Sequence, residues 1–218
     1  ADALMLMREL AVPGVTTQEL DRRCEEYIRS QGAFPSCKGY YGFPATICAS
    51  VNEEVVHGIP GHRKLHDGDI ISVDLVVNKD GYSTITIPVG DVAPDTLKLL
   101  QVTEECLYKG IEQAVAGKHM GDLGHAVQAH AESFGYGVVR DYVGHGIGTD
   151  MHEAPEVPNY GRPGHGIVLE EGMVLAIEPM IAMGTEKVRQ LDNGWTVITQ
   201  DKKPAAHFEH TVAITDHG

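Results

Sequence analysis

Three carboxylates sit inside apolar stretches of the chain. Asp74 lies between Val73 and Leu75, Glu178 between Ile177 and Pro179, and Glu209 opens the run Phe208-Glu209-His210-Thr211-Val212. A buried carboxylate is costly unless it is paired or bound to a cation, so three of them point to a shared metal ion. His145, in Gly144-His145-Gly146-Ile147-Gly148, is the natural partner, because flanking glycines let the backbone approach closely and imidazole is a borderline donor. One imidazole with several carboxylates suits Mn, Fe, Co or Zn. For any one acid alone, a strand-end carboxylate facing water remains an alternative. His57, in Val56-His57-Gly58-Ile59-Pro60, and His152, seven residues beyond His145, join the candidates, although either also fits an ordinary loop histidine. His62, His66, His119, His125, His130, His165 and His217 are expected to be solvated or structural.

Two other chemistries are excluded. The Gly-x-Gly-x-Gly at 144–148 is not a dinucleotide loop, because Pro155 blocks the helix that should follow. His152-Glu153 is not a zincin motif, since position 156 is Glu where a second His is required.

These residues need elements to hold them. A capping box, Thr16-x-x-Glu19, starts a helix whose stripe Leu20, Cys24, Tyr27 and Ile28 runs until Gly32. Residues 69–77 read as a buried strand, Pro94 opens a helix towards Ala116, and another helix covers about 120–134 before a short strand at Val138-Val139. Residues 154–166 read as loop on composition, with strands at 173–177, 195–199 and 210–215. The two halves look alike. Gly14, Leu20 and Gly32 have counterparts in Gly117, Leu123 and Gly135, and Asp67 to Asp74 matches Glu171 to Glu178, at an offset of 103 to 104 residues. This implies a duplicated α/β unit that brings Asp74 and Glu178 to equivalent places around one centre.

Composition narrows the partners. The chain has 218 residues, 42% hydrophobic and 22% charged, which fits a folded domain rather than a disordered or collagen-like chain. A net charge of −14 argues against nucleic acid and leaves room for a cationic substrate such as a free amino group, or for metal ions. No apolar run is long enough to span a bilayer, and no secretory signal is evident at the start. Cysteines at 24, 37, 48 and 106 form no Cys-x-x-Cys pair, so a reduced, cytoplasmic setting is expected.

Taken in order, His57-Gly-Ile-Pro, Gly-His145-Gly-Ile-Gly with His152-Glu-x-Pro, Ile-Glu178-Pro-Met and Phe-Glu209-His-Thr resemble the bacterial type I methionine aminopeptidases, from about residue 8 to Gly218. The resemblance implies a single pita-bread domain over 1–218, with pseudo-symmetric α/β halves (about 12–110 and 115–218) around a central antiparallel sheet. It implies Asp74, His145, Glu178 and Glu209 as ligands of two divalent ions, with His57 and His152 contacting substrate and the tetrahedral intermediate. A metal-activated hydroxide would release the N-terminal methionine of nascent chains, with Glu178 as proton shuttle and His152 stabilising the oxyanion. Cys37, Tyr40, Phe43, Cys48, Met151 and Trp195 would wall the methionine pocket, types that suit a thioether but also suit plain core packing. Nascent polypeptide N-termini are the implied partners, with the ribosome surface a further candidate, no membrane or nucleic-acid site, and a monomer.

The chain departs from the family in two places. The family carries a second aspartate eleven residues after the first, in a stretch like Asp-Gly-Tyr-His-Gly-Asp, whereas here Asp80-Gly81-Tyr82 runs directly into Ser83-Thr84-Ile85. Three residues are missing, a bridging ligand among them, and Asp91 lies too far along to replace it. The first residues also fall inside the expected first helix, with no extension before it. Three readings of the gap stay open: residues present in the protein but not in this sequence, a true deletion leaving one weakly held metal, or a metal-free module that keeps the fold to bind peptides or partners. An Xaa-Pro peptidase of the same fold is the other alternative, disfavoured by the lack of an extra N-terminal domain.

Overall fold

The computed structural model describes residues 1–77 and 81–215, with Gly81 and Tyr82 described by backbone alone. Asp80 and His217, singled out above, lie outside the described residues. In chain order the elements are α1 (Asp2–Leu10), α2 (Thr17–Ser30), β1 (Ile47–Val51), β2 (Glu54–Val56), β3 (Ile70–Val77), β4 (Gly81–Pro88), α3 (Pro94–Ile111), α4 (Met120–Ser133), β5 (Gly137–Val138), β6 (Gly144–Gly146), β7 (Glu153–Val157), β8 (Val174–Ile177), β9 (Met180–Ala182), β10 (Val188–Gln190), β11 (Val197–Thr199), β12 (Ala205–His207) and β13 (Glu209–Ala213).

The helices form where the periodicity predicts them. Thr16 caps α2, its side chain accepting from Glu19 N at 3.1 Å, and the helix buries Leu20, Cys24 and Ile28. In α4 the Asp122 carboxylate takes the His119 N–H at 2.8 Å, and Leu123, Val127 and Ala131 are buried. Those three residues each stand 103 positions after their α2 counterparts. The exits match as well: Gly32 has φ +71° and Gly135 φ +78°, a left-handed conformation that glycine adopts without strain. Thr16 bridges Lys64, as His119 bridges Val168. α1 and α2 pack on β1, β3 and β4 around Leu20, Ile47 and Ile71, while α3 and α4 enclose a second core around Leu107, Leu123 and Ile177.

The site depends on strand order. Seven strands form one antiparallel sheet in the order β1-β3-β4-β13-β8-β6-β7. Five neighbours in the middle, β3, β4, β13, β8 and β6, therefore carry or border Asp74, Thr84, Glu209, Glu178 and His145. Register sets the spacing: Asp74 is opposite Thr84, Thr84 is opposite Glu209, and His145 is opposite Ala176.

Two expectations change. The third helix stops at Ile111, short of Ala116. Residues 154–157 are not loop but part of β7, paired with β6. Pro155 is compatible with that strand because β7 is the last in the sheet, where a missing N–H leaves no partner unsatisfied.

Candidate active site

A cavity of about 390 Å³ opens over the middle of this sheet. It is lined by Asp74, His145, Glu178 and Glu209, by His57 and His152, and by Cys37, Tyr40, Phe43, Cys48, Met151 and Trp195. All the residues picked out by sequence thus share one cavity. Tyr41 and Val76 complete the lining, and neither carried a sequence signal of its own.

His145, Glu178 and Glu209 form the tightest group, with one donor atom from each lying within 4.8 Å of the others. His145 Nδ1 bonds the Gly146 carbonyl at 2.9 Å, so that proton stays on Nδ1 and Nε2 faces Glu178 Oε1 at 3.7 Å. Glu209 Oε2 accepts from Thr84 Oγ1 at 2.8 Å. Asn159 Nδ2 holds the Glu178 backbone carbonyl at 2.9 Å, fixing the residue just past the end of β8. Asp74 lines the same cavity, but its carboxylate stands outside that trio, against the Cys48 thiol and the Thr84 hydroxyl. Asp91 is remote, its amide bound by Asp67 at the surface.

The electrostatics of the cluster are those of acids without a counter-charge. Burial pushes the Glu178 carboxyl well above the usual range, and the nearby Asp74 adds to this. Burial also raises Glu209, with Glu178 and Asp74 contributing and the Thr84 hydrogen bond opposing. Burial raises Asp74, opposed by His207, Thr84 and Cys48. The donor set fits a small divalent cation. Such an ion relieves the repulsion, and the pre-set Nε2 of His145 offers it a lone pair.

The remaining histidines stand around this group. His152 stacks on Tyr40 at 5.3 Å and shares a 2.9 Å hydrogen bond between Nδ1 and the Tyr40 hydroxyl; its ring centre is 4.0 Å from that of His145. His57 meets Tyr142 and Trp195 edge to face. Desolvation holds both rings down at about 4, helped for His57 by His207 and for His152 by His145 and His57. On the other side Phe43 and Trp195 pack edge to face at 5.1 Å, beside Cys37, Cys48 and Val76.

Sequence reasoning missed His207. It is buried at the end of β12, with its Nε2 3.5 Å from Glu178 Oε2. The available signal was its place two residues before Glu209, the spacing that sets side chains on one face of a strand.

Comparison with known proteins bears directly on this arrangement. The profile of metallopeptidase family M24 matches residues 1–216. The chain belongs to that family. The methionine aminopeptidase of Clostridium acetobutylicum is 56% identical over 221 aligned positions, covering 100% of this chain and 88% of that one. That alignment is three positions longer than the 218-residue chain, which matches in size the gap noted after Tyr82. The crystal structure of the Rickettsia prowazekii methionine aminopeptidase superimposes with a TM-score of 0.97 at 43% identity, covering 99% of this chain and 88% of that one. A Pyrococcus horikoshii prolidase shares the fold alone, at a TM-score of 0.75 and 23% identity over 99% of this chain and 56% of its own. This M24 metallopeptidase is therefore a hydrolase with a mixed α/β, pita-bread fold, and His145, Glu178 and Glu209 form a cluster that could hold a divalent metal ion. No helix among the described residues is long and apolar enough to cross a membrane.

Proposed function

We propose that this chain removes the N-terminal methionine of nascent polypeptides in the cytoplasm. The observation that carries the reading is the joining, in one cavity, of a sulfur- and aromatic-lined pocket to the His145, Glu178 and Glu209 cluster. A thioether side chain suits the Cys37, Phe43, Cys48, Met151 and Trp195 wall, and the carboxylates line the same cavity.

His145, Glu178 and Glu209 would hold the ion, with Asp74 at the edge of the centre; Co, Mn, Fe and Zn all suit these donors. When bound, the ion supplies Lewis acidity and lowers the pKa of water. The protein does the rest. Glu178, placed in the cluster, would carry a proton from the attacking water towards the leaving amine. His152, oriented by Tyr40, meets the developing oxyanion, and His57, lining the same cavity, meets the substrate backbone. The two-halved single domain, with about 12–110 and 115–218 related by duplication, belongs to the same proposal. So do action as a monomer, the ribosome surface as a docking candidate, and the absence of nucleic-acid and membrane partners.

The test is hydrolysis of Met-Ala-Ser against an Xaa-Pro peptide, with the stripped protein resupplied with Co(II) or Mn(II). Release of methionine from the first is expected. Faster cleavage of the Xaa-Pro peptide would replace this reading with the prolidase-like one. Absence of any calorimetric metal binding by folded protein would replace it with a metal-free binding module.

A further inference from the structure

His207 is 2% exposed, and its Nε2 makes no hydrogen bond. A buried polar atom left unanswered is uncommon in a folded protein and calls for an explanation. The ring is not loosely placed. Thr86 Oγ1 accepts from His207 N and donates to His207 O, both at 2.9 Å, while Ser72 Oγ donates to Thr86 at 2.8 Å. The strand end is pinned from both sides, and Nε2 is aimed at Glu178 Oε2, 3.5 Å away.

That contact divides the Glu178 carboxylate. Oε1 faces His145 Nε2 at 3.7 Å, and Oε2 faces His207. Glu209 is divided in the same way, its Oε2 taken by Thr84. His145 Nε2 and Glu178 Oε1, 3.7 Å apart with no hydrogen bond between them, are close enough to share one small cation. His207 itself lies outside the trio of mutually close donors.

We infer that His207 is a positioning residue of the metal centre: it holds Glu178 Oε2, so that Oε1 alone is presented to the ion beside His145 Nε2. The inference rests on the metallopeptidase reading and adds a residue to it. With Oε1 engaged beside His145, a small approach of Oε2 to the Nε2–H of His207, from 3.5 Å, would complete a hydrogen bond and give the unanswered atom its partner.

The experiment compares metal-stripped wild type with His207→Leu and His207→Gln. Isothermal titration of Co(II) and Mn(II), the visible Co(II) spectrum, and melting with and without metal are measured. Loss of an orienting partner weakens metal affinity by about 10- to 100-fold, so that is the result expected for His207→Leu, with stoichiometry unchanged and the Co(II) bands shifted. His207→Gln retains a donor and recovers most of the affinity. The metal-free His207→Leu protein melts no lower than wild type, because an apolar group replaces an unsatisfied one. Wild-type affinity in His207→Leu overturns the inference, and so does a lowered metal-free melting point with affinity unchanged. Loss of one bound ion at unaltered affinity for the other also overturns it, since His207 would then be a ligand. Wild type that binds neither ion overturns the metal reading as well, which separates the two failures.

Discussion

Thr84 Oγ1 donates a 2.8 Å hydrogen bond to Glu209 Oε2, and Thr84 is also the residue opposite Asp74 across β3 and β4. A neutral hydroxyl therefore occupies the gap between two carboxylates. By resemblance a further aspartate is expected near this point, but the strand instead supplies a donor that satisfies Glu209 and adds no negative charge. Ile85, which falls eleven residues after Asp74, packs against the core.

Thr84→Val removes that donor and keeps the volume. Glu209 Oε2 is then buried without a partner, which costs about 1–3 kcal/mol in the metal-free protein. Chemical denaturation should show this loss, and Thr84→Ser should restore stability. Thr84→Asp should do the opposite to the metal equilibrium: lower stability without metal, and tighter or additional Mn(II) binding by calorimetry. Unchanged metal binding in Thr84→Asp would show that this position does not face the ion.

How far the site was legible follows from what each residue needs. Asp74, Glu178 and Glu209 stood out because their apolar neighbours make a carboxylate expensive, and α2 and α4 because the spacing of Leu20, Cys24 and Ile28 and of Leu123, Val127 and Ala131 writes one helical face. Strands of two or three residues, such as β2, β6 and β9, carry no readable period, so the sheet order that gathers the site had no counterpart in the sequence. Nor could spacing reveal that Asp74 stands apart from the trio, which depends on side-chain distances across β4. His207 was hidden by its surroundings, since Ala205-Ala206-His207-Phe208 reads as a core segment in which a histidine is merely packed.

The glycines beside His145 have a steric purpose. A Cβ on Gly144 would run into the Ala176 carbonyl oxygen of β8, and one on Gly146 into the Ala154 carbonyl oxygen of β7. Gly144→Ala should therefore destabilise the protein by about 1–3 kcal/mol or more, by urea unfolding, and weaken metal binding because β6 must move. Gly61→Ala, where a Cβ meets nothing within 4 Å, is the matched control and should change neither. Wild-type stability in Gly144→Ala would mean that the sheet yields at this point.

Burial, with a contribution from His207, holds the His57 ring at about 4 against an ordinary 6.5. Between these values the unfolded chain binds a proton that the folded chain does not. The stabilisation is therefore fully present above about pH 6.5 and is lost as pH falls towards 4, with an upper bound of roughly 3 kcal/mol. Glu178 and Glu209, whose carboxyls are raised, act in the opposite sense, so the comparison must be with His57→Gln. Melting temperatures of the metal-free proteins should converge as pH falls from 6.5 to 4, with wild type losing more. Parallel curves would show that His57 titrates normally.

The 2.9 Å contact between the Tyr40 hydroxyl and His152 Nδ1 sets the protonation pattern of that ring. With Tyr40 donating, His152 carries its own proton on Nε2, the form able to donate to an oxyanion. Tyr40→Phe keeps the stacked ring but lets the proton move to Nδ1. Turnover of Met-Ala-Ser should fall, with KM changing less than kcat, because the tautomer matters most where charge develops. The loss should be smaller than the roughly 100- to 1,000-fold expected on deleting an oxyanion donor outright, which His152→Ala measures. The double variant should then be no slower than His152→Ala alone, since Tyr40 acts through that ring. An additive loss in the double variant would instead give Tyr40 a role in the cavity independent of His152.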